Sequence, residues 1–131
     1  MVTRMTLEEL SEKFADNEQR KRLFDLLVDE LTTIKAQCRS LCVLVFGSYI
    51  SGKSAPRDID VLLSLIPSED CVYALWTEGL RCEHPEEVDV HYYKTQRYIK
   101  DAEGLIEHFN NNPKNELQGI AISDAVEITG I

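Results

Sequence analysis

The stretch LCVLVFGS, residues 41–48, is followed after nine residues by the stretch DIDVLLSLI, residues 58–66. Each contains a short continuous apolar run, which is typical of a strand buried on both faces of a sheet. Gly47-Ser48 ends the first run and Pro67-Ser68 ends the second. The two predicted strands form the centre of the fold, and a Gly/Ser/Pro-containing segment connects them.

The N-terminal segment, residues 1–40, is predicted to be helical. Thr6 with Glu9 fits a capping box, and Asp16 is a candidate cap for a second, longer helix. Apolar residues at spacings of three and four give that helix one apolar stripe. The stripe comprises Leu23, Leu27, Leu31, Ile34 and Cys38. Polar residues that fill much of the remaining helix surface are Arg20, Lys21, Arg22, Asp29 and Glu30.

The segments after the second strand predict further elements. Ser68 is a candidate cap for a helix that reaches about Leu80, and Val88 to Tyr93 predicts a third strand. Apolar residues up to Phe109 predict a last helix, and residues 119–131 predict a weak terminal strand or two. The expected fold class is α/β (α+β): a mixed sheet of about four to five strands with helices packed on it and N-terminal helices before the first strand.

Length and charge limit the classes of protein. The 131 residues predict a single domain, divided into a helical segment 1–40, a core 41–93 and a C-terminal helix and strand 94–131. With 14 basic and 23 acidic side chains the net charge is −9, which disfavours binding to an extended nucleic acid. There is no apolar run of membrane-spanning length, no signal peptide and no CxxC pair, so we expect a cytoplasmic protein without a membrane partner.

Residues 47–54 read GSYISGKS and match the P-loop pattern G-x-x-x-x-G-K-[ST]. A P-loop needs a helix that begins near its lysine and points its N-terminus at the phosphates. Here a predicted strand begins at Ile59, only four residues after Ser54, so no length remains for that helix. The P-loop NTPase is therefore the third interpretation.

The same loop leads to a set of carboxylates. Because side chains of a strand alternate, Asp58 and Asp60 should share one face while Ile59 points to the other. Asp89 lies inside the third predicted strand, where a charged residue needs a partner. If the two strands are neighbours, the three carboxylates form a cluster, and Mg²⁺ suits such a cluster when a phosphate supplies further ligands.

This constellation resembles the nucleotidyltransferase superfamily of DNA polymerase β type, particularly its minimal (MNT-like) members. Their motif is hG[GS], a spacer, [DE]h[DE]h and a third carboxylate on a later strand. In this sequence the motif reads Phe46-Gly47-Ser48, nine residues, Asp58-Ile-Asp60-Val61 and Val88-Asp89-Val90. The spacer departs from that of minimal members, which often have Arg-Gly where Ser51-Gly52 stands and Ser where Arg57 stands.

The resemblance implies a role for each motif residue. Asp58, Asp60 and Asp89 would be the catalytic residues and would hold two Mg²⁺ ions that bridge the triphosphate of an NTP, with ATP as the expected donor. Asp89 would also help to remove the proton of the attacking hydroxyl. Gly47 and Ser48 would bind the β- and γ-phosphates.

Two basic residues flank the predicted site: Lys53 and Arg57 are candidate nucleotide-binding residues. His91 shares a strand face with Asp89 and could either support it or serve as a structural histidine. Three aromatic residues could stack on a base, although core packing is favoured for them; they are Trp76, Tyr92 and Tyr93.

Three functions remain open. The first is an enzyme that transfers a nucleoside monophosphate from an NTP to an acceptor hydroxyl on a protein, an RNA end or a small molecule. The resemblance suggests a toxin–antitoxin pair as its context, with a cognate toxin as protein partner. The second is a catalytically silent binding module or antitoxin that acts by contact. The third is the P-loop NTPase.

Overall fold

The protein is described by a computed structural model that covers residues 1–67, 78–94, 101–111 and 121–131. Five strands form one mixed sheet: β1 (Val2–Thr6), β2 (Cys38–Phe46), β3 (Ile59–Pro67), β4 (Val88–Lys94) and β5 (Ala125–Thr129). The described helices are α1 (Leu7–Phe14), α2 (Glu18–Gln37) and α3 (Ala102–Asn110), and a 3₁₀ turn covers Gly47–Tyr49. The predicted mixed sheet with helices packed on it is confirmed.

The strand order across the sheet is β1-β5-β2-β3-β4. The central strand β2 runs antiparallel to β5 and β3, whereas β1 pairs with β5 and β3 pairs with β4 in parallel. The register of the β3–β4 pair begins with Ile59 opposite Val88 and continues with Asp60 opposite Asp89. This parallel pairing, which was a condition of the predicted carboxylate cluster, is therefore present.

The sheet separates two apolar clusters, as alternation along its strands requires. On one face, Val45, Val61 and Leu63 pack with the buried side of α1 and α2. On the other face, Leu44 and Leu62 pack with α3. The two faces of β3 are thus both covered, which explains the uninterrupted apolar sequence of this strand.

One expectation about the N-terminus is wrong. A strand, β1, precedes the helices, so the segment 1–40 is not helical throughout and the first strand is not that of residues 41–46. Five residues are too few for periodicity to separate strand from helix, and the parallel pairing with β5, whose residues lie 123 positions later in the chain, decides the outcome. β2 also begins earlier than predicted, at Cys38.

The helix caps agree with the sequence in one case and differ in the other. Thr6 and Glu9 form the predicted capping box at the start of α1. At the start of α2 the cap is Asn17, whose side chain accepts a hydrogen bond from the N–H of Arg20. Asp16 is not the cap but forms an ion pair with Arg20 at 3.3 Å.

The later elements match where they are described. The predicted third strand corresponds to β4, the last helix to α3 and the terminal strand to β5. Most of the helix predicted from Ser68 to Leu80 lies outside the described residues, and its last three residues, 78–80, are not helical. Within the described ranges the cysteines are free thiols: Cys38, Cys42 and Cys82.

Candidate functional site

The candidate site lies where the end of β2 meets the beginnings of β3 and β4. Asp60 is the second residue of β3, and its register partners are Phe46 at the end of β2 and Asp89 on β4. Residues paired in this way point to the same face of a sheet, which here is the face covered by α3. The strand register therefore sets two carboxylates side by side.

A histidine completes this group. Ligand atoms of Asp60, Asp89 and His91 all lie within 4.8 Å of one another. The Nε2 atom of His91 is 3.2 Å from Oδ2 of Asp89. The imidazole is buried, with its centroid 6.1 Å from that of Phe46 and 5.8 Å from that of Phe109. Because aromatic packing holds the ring, His91 keeps Asp89 in a defined orientation, so both of its predicted roles have contacts that fit.

The electrostatics of the site show that its carboxylates repel one another. Burial, and then the charges of Asp58 and Asp89, raise the pKa of Asp60 to about 6. Burial and the Asp89 charge also raise the pKa of Asp58, whereas Lys53 and His91 act in the opposite direction. The three predicted carboxylates thus lie within electrostatic reach of one another, although Asp58 is outside the group with ligand atoms closer than 4.8 Å. We call these three residues the acidic site.

Gly47 lies directly against the acidic site. Its φ is +78°, and a Cβ atom at this position would overlap with Oδ2 of Asp60. Both the backbone conformation and the space therefore require glycine. The Ser51 N–H donates to the Gly47 carbonyl at 3.1 Å, and this hydrogen bond closes the turn over residues 47–51. The result is a backbone turn without a side chain next to a carboxylate.

The remaining predicted site residues lie on the loop 47–57, which we call the site loop. Ser48 is half-buried within the 3₁₀ turn, and its carbonyl accepts a hydrogen bond from the Ser51 hydroxyl at 3.2 Å. Lys53 is exposed, and its charge acts on Asp58. Arg57 is also exposed, and among the described residues no hydrogen bond or ion pair joins it to the acidic site. The structure thus brings Lys53 to the site but gives Arg57 no contact there.

The site loop lacks the geometry of a P-loop. Residues 47–59 are all described, and no helix begins between Lys53 and Ile59. β2 and β3, which flank the loop, are antiparallel neighbours, whereas a P-loop connects a strand to a helix in a crossover to a parallel strand. The P-loop interpretation is therefore wrong, for the reason that the spacing to Ile59 predicted.

Residues 1–122 match the model of a family described as "Family of unknown function (DUF6932)". The chain belongs to this family. The match includes the acidic site and the whole site loop. No curated protein and no solved structure matches the chain. Within the described part of this DUF6932 member, none of the helices combines the length and the hydropathy of a membrane crossing.

Aromatic residues of the DUF6932 chain near the site have packing roles. The Tyr92 hydroxyl accepts a hydrogen bond from the N–H of Leu80 at 3.1 Å, and its ring packs on the α2 side of the sheet. The Tyr93 ring meets that of His108 edge to face, with centroids 4.6 Å apart. Core packing, the favoured interpretation, fits both tyrosines, while Trp76 lies outside the described residues.

Sequence analysis missed two charged residues that support the site from α2. The sequence pattern predicts Arg20 and Glu30 on the polar side of α2, but both are buried. Glu30 accepts hydrogen bonds from the N–H groups of Glu83 and His84, at 2.8 and 2.9 Å, in the loop before β4. Arg20 donates to backbone carbonyls of the site loop. The sequence does contain an indication that these two side chains are buried: each lies three positions from a leucine of the apolar stripe and therefore on the same helix face.

The DUF6932 chain has a further cavity of about 970 Å³, which is separate from the acidic site. It lies between the C-terminal half of α2 and the ends of β2 and β5. Residues from each wall include Leu31, Val43 and Ile128, while no residue of the acidic site or the site loop contributes to it. This cavity therefore plays no part in the arrangement around the carboxylates.

Proposed function

We propose that this chain is a metal-dependent nucleotidyltransferase with a nucleotidyltransferase-like fold. It transfers a nucleoside monophosphate from an NTP to an acceptor hydroxyl and releases pyrophosphate. The observation that carries the proposal is the contact between Gly47 and Asp60 next to Asp89 on the parallel strand. The glycine turn lies directly against one of the paired carboxylates, so a phosphate chain bound to the same cations as the carboxylates would lie beside the backbone of this turn.

The donor set fits a divalent cation. Mg²⁺ binds oxygen ligands at about 2.0–2.1 Å, so its ligand atoms lie roughly 3–4 Å apart. Asp60 and Asp89 meet this requirement with small side-chain adjustments, since their ligand atoms and that of His91 are within 4.8 Å. Burial, and then repulsion by Asp58 and Asp89, raise the pKa of Asp60, and a bound cation would offset both by stabilising the charged carboxylate. With Asp58, these carboxylates would hold two Mg²⁺ ions, which neutralise phosphate charge and make a bound hydroxyl more acidic.

The site loop provides the groups that would bind the phosphates. Because Gly47 has no side chain, its backbone lies directly against the Asp60 carboxylate, so a phosphate bound to a cation at Asp60 would lie close to this turn. Ser48 follows within the same turn and would donate its N–H and hydroxyl. Lys53 already acts electrostatically on Asp58, so its ammonium group would meet a triphosphate bound at the acidic site. Arg57, exposed and next to Asp58 in the chain, would be a second basic contact for the triphosphate.

The reaction then follows from the chemistry of the phosphoanhydride. The hydroxyl oxygen of the acceptor attacks the α-phosphorus, the bond to the bridging oxygen breaks, and pyrophosphate leaves. Asp89 is the carboxylate we expect to receive the hydroxyl proton. His91, hydrogen-bonded to Asp89 at 3.2 Å, holds that carboxylate in position. The donor we expect is ATP, and the net charge of −9 favours a protein or small-molecule acceptor over a long nucleic acid.

The first experiment measures thermal stability with each common NTP, with and without Mg²⁺. A ligand present at about a hundred times its Kd stabilises the folded state by roughly 2.7 kcal/mol, which shifts the unfolding midpoint by several degrees. We expect such a shift for one NTP with Mg²⁺, and its loss in the variant Asp58→Asn/Asp60→Asn. The control is Asp29→Asn, which removes an exposed carboxylate of another histidine–carboxylate group.

Pyrophosphate release in the presence of that NTP distinguishes turnover from binding. A chain that binds Mg²⁺ and NTP but releases no pyrophosphate with any acceptor would act as a catalytically silent module. A chain that responds to no NTP contradicts the proposal and favours an antitoxin that acts by contact with its toxin. In that case, Asp58→Asn/Asp60→Asn would keep full neutralising activity.

A further inference from the structure

A buried arginine of α2 holds the site loop from the side opposite to the acidic site. Arg20 is 3% exposed, and its guanidinium donates hydrogen bonds to the carbonyls of Tyr49 and Lys53. Its Nε atom donates to the carbonyl of Phe14, and its charge pairs with Asp16 at 3.3 Å. One side chain therefore joins the α1–α2 connection to two points of the site loop.

The contact with Tyr49 is reciprocal. The Tyr49 hydroxyl, fully buried, donates to the main-chain carbonyl of Arg20 at 3.0 Å. The guanidinium carbon lies 4.5 Å from the centroid of the tyrosine ring, within the range of a cation–π interaction. Tyr49 ends the turn that begins at Gly47. The contacts with Arg20 therefore hold in place the turn whose first residue lies against Asp60.

Two more side chains from the first turn of α2 continue the same row of contacts. The Asn17 amide donates to the carbonyl of Ser54 at 2.8 Å, and the Gln19 amide donates to the carbonyl of Pro56 at 2.9 Å. The site loop thus has four of its carbonyls, at residues 49, 53, 54 and 56, bound by α2. With its carbonyls held on one side, the loop can present N–H groups and the Lys53 side chain on the other.

We propose that Arg20 is a positioning residue for nucleotide binding: it holds the site loop so that the Gly47 turn and Lys53 face the acidic site. This inference rests on the proposed function. A planar guanidinium has five N–H donors in a fixed arrangement, so one arginine can bind several carbonyls at once. A lysine keeps the charge but not this arrangement. Arg20 should therefore determine affinity for the triphosphate and not affinity for the metal ion.

The test compares Arg20→Lys with the wild type. We expect the Kd for the NTP with Mg²⁺ to rise about tenfold, as the loss of hydrogen bonds from a charged donor would produce. Stabilisation by Mg²⁺ alone should be unchanged, because strand register, and not the site loop, sets Asp60 beside Asp89. In hydrogen–deuterium exchange without nucleotide, amides of residues 47–55 should exchange faster. The matched control is Arg22→Lys, which alters an exposed arginine of the same helix that pairs with Glu87 at 3.5 Å.

A merely structural role predicts another result: the lower stability of Arg20→Lys would weaken the responses to Mg²⁺ and to nucleotide together. That result, or an unchanged nucleotide Kd, overturns the inference while the proposed function stands. If the wild type binds no NTP, both are overturned. Should Arg20→Lys fail to fold, Gln19→Ala is the alternative variant, since it removes the hydrogen bond to the carbonyl of Pro56 and leaves Arg20 in place. It should raise the nucleotide Kd about two- to threefold, and an unchanged Kd then counts against the inference.

Discussion

Two places in the described part of the chain bring a histidine, an aspartate and another carboxylate within 4.8 Å of one another. One is Asp60, Asp89 and His91 at the strand ends, and the other is Asp29, Glu83 and His84 at the surface of α2. In the surface group the Asp29 and Glu83 side chains are each 55% exposed. In the strand group the Asp89 side chain is 42% exposed, and that of His91 is 8% exposed, against 27% for His84. The His91 ring packs against the rings of Phe46 and Phe109.

The difference between the groups is what surrounds the ligand atoms. The Nε2 atom of His84 lies 2.5 Å from Oδ2 of Asp29, but this pair is exposed to solvent, which screens the interaction. In the strand group, register sets Asp60 beside Asp89, aromatic rings pack against His91, and the Gly47 backbone lies directly against Asp60. The distances between ligand atoms are similar in the two groups. What distinguishes the candidate site from the surface group is that the backbone and the packing hold its side chains in place.

The largest effect is expected from Gly47→Ala, which tests whether that constraint matters. The new Cβ would overlap with Oδ2 of Asp60, and the φ of +78° adds backbone strain of about 1–3 kcal/mol. We expect a loss of stability of at least this size in chemical denaturation. The responses to Mg²⁺ and to NTP should both disappear in thermal-shift measurements, because Asp60 must move.

Gly52→Ala is the matched control for this change. Gly52 also has a positive φ, +92°, but a Cβ there would meet no atom within 4 Å. The Gly52→Ala variant should therefore lose stability through backbone strain alone, without a steric clash. It should retain the thermal shift with Mg²⁺. Equal loss of that response in both variants would show that the contact between Gly47 and Asp60 has no special role.

The second prediction concerns pH. Because burial and neighbouring charges raise the pKa of Asp60 from 3.8 to about 6, the folded protein retains a proton that the unfolded chain has lost between these values. Stability should thus fall as pH rises from about 4 to about 6 and stay lower above that. The shift corresponds to roughly 3 kcal/mol at most, and solvent screening reduces the expected effect to about 1–2 kcal/mol.

Asp60→Asn should remove this fall and stabilise the metal-free protein above about pH 6 by a similar amount. The measurement is chemical denaturation between about pH 4 and pH 8, with and without Mg²⁺. In the wild type, Mg²⁺ should restore stability at the higher pH, whereas the variant should not respond. A variant that is less stable than the wild type at pH 8 would contradict the repulsion inferred for the strand group.

Much of the fold could be predicted from local sequence. Continuous apolar runs identified β2 and β3, and the Thr6–Glu9 capping box was found because its signal spans only four residues. β1 could not be found in this way, since its five residues acquire their structure from a partner strand at Ala125–Thr129. Parallel pairing between distant segments leaves no local pattern.

In the candidate site, too, the features with a local sequence pattern could be predicted, and those that depend on contacts between distant segments could not. The alternation of Asp58, Ile59 and Asp60 placed the carboxylates on one face, and the pairing with Asp89 needed only the assumption that β3 and β4 are neighbours. The roles of Arg20 and Glu30 could not be predicted from the sequence, because they depend on which loops α2 contacts. A charged residue on an apolar helix face indicates burial, but the carbonyl or N–H groups it binds belong to segments 29 to 54 residues away in the chain.

The smallest effect is expected in the surface group, from His84→Gln. The hydrogen bond to Asp29 raises the pKa of His84 in the folded state. The protonated imidazole therefore contributes stability that is fully present below the unfolded pKa of about 6.5 and is lost as pH rises through the folded value. The variant should be slightly less stable than the wild type in chemical denaturation at about pH 5 and equally stable at about pH 9.

The responses of His84→Gln to Mg²⁺ and NTP should equal those of the wild type. If His84→Gln weakens either response while His91→Gln leaves it intact, the functional group is the surface one and the assignment of the two groups is reversed.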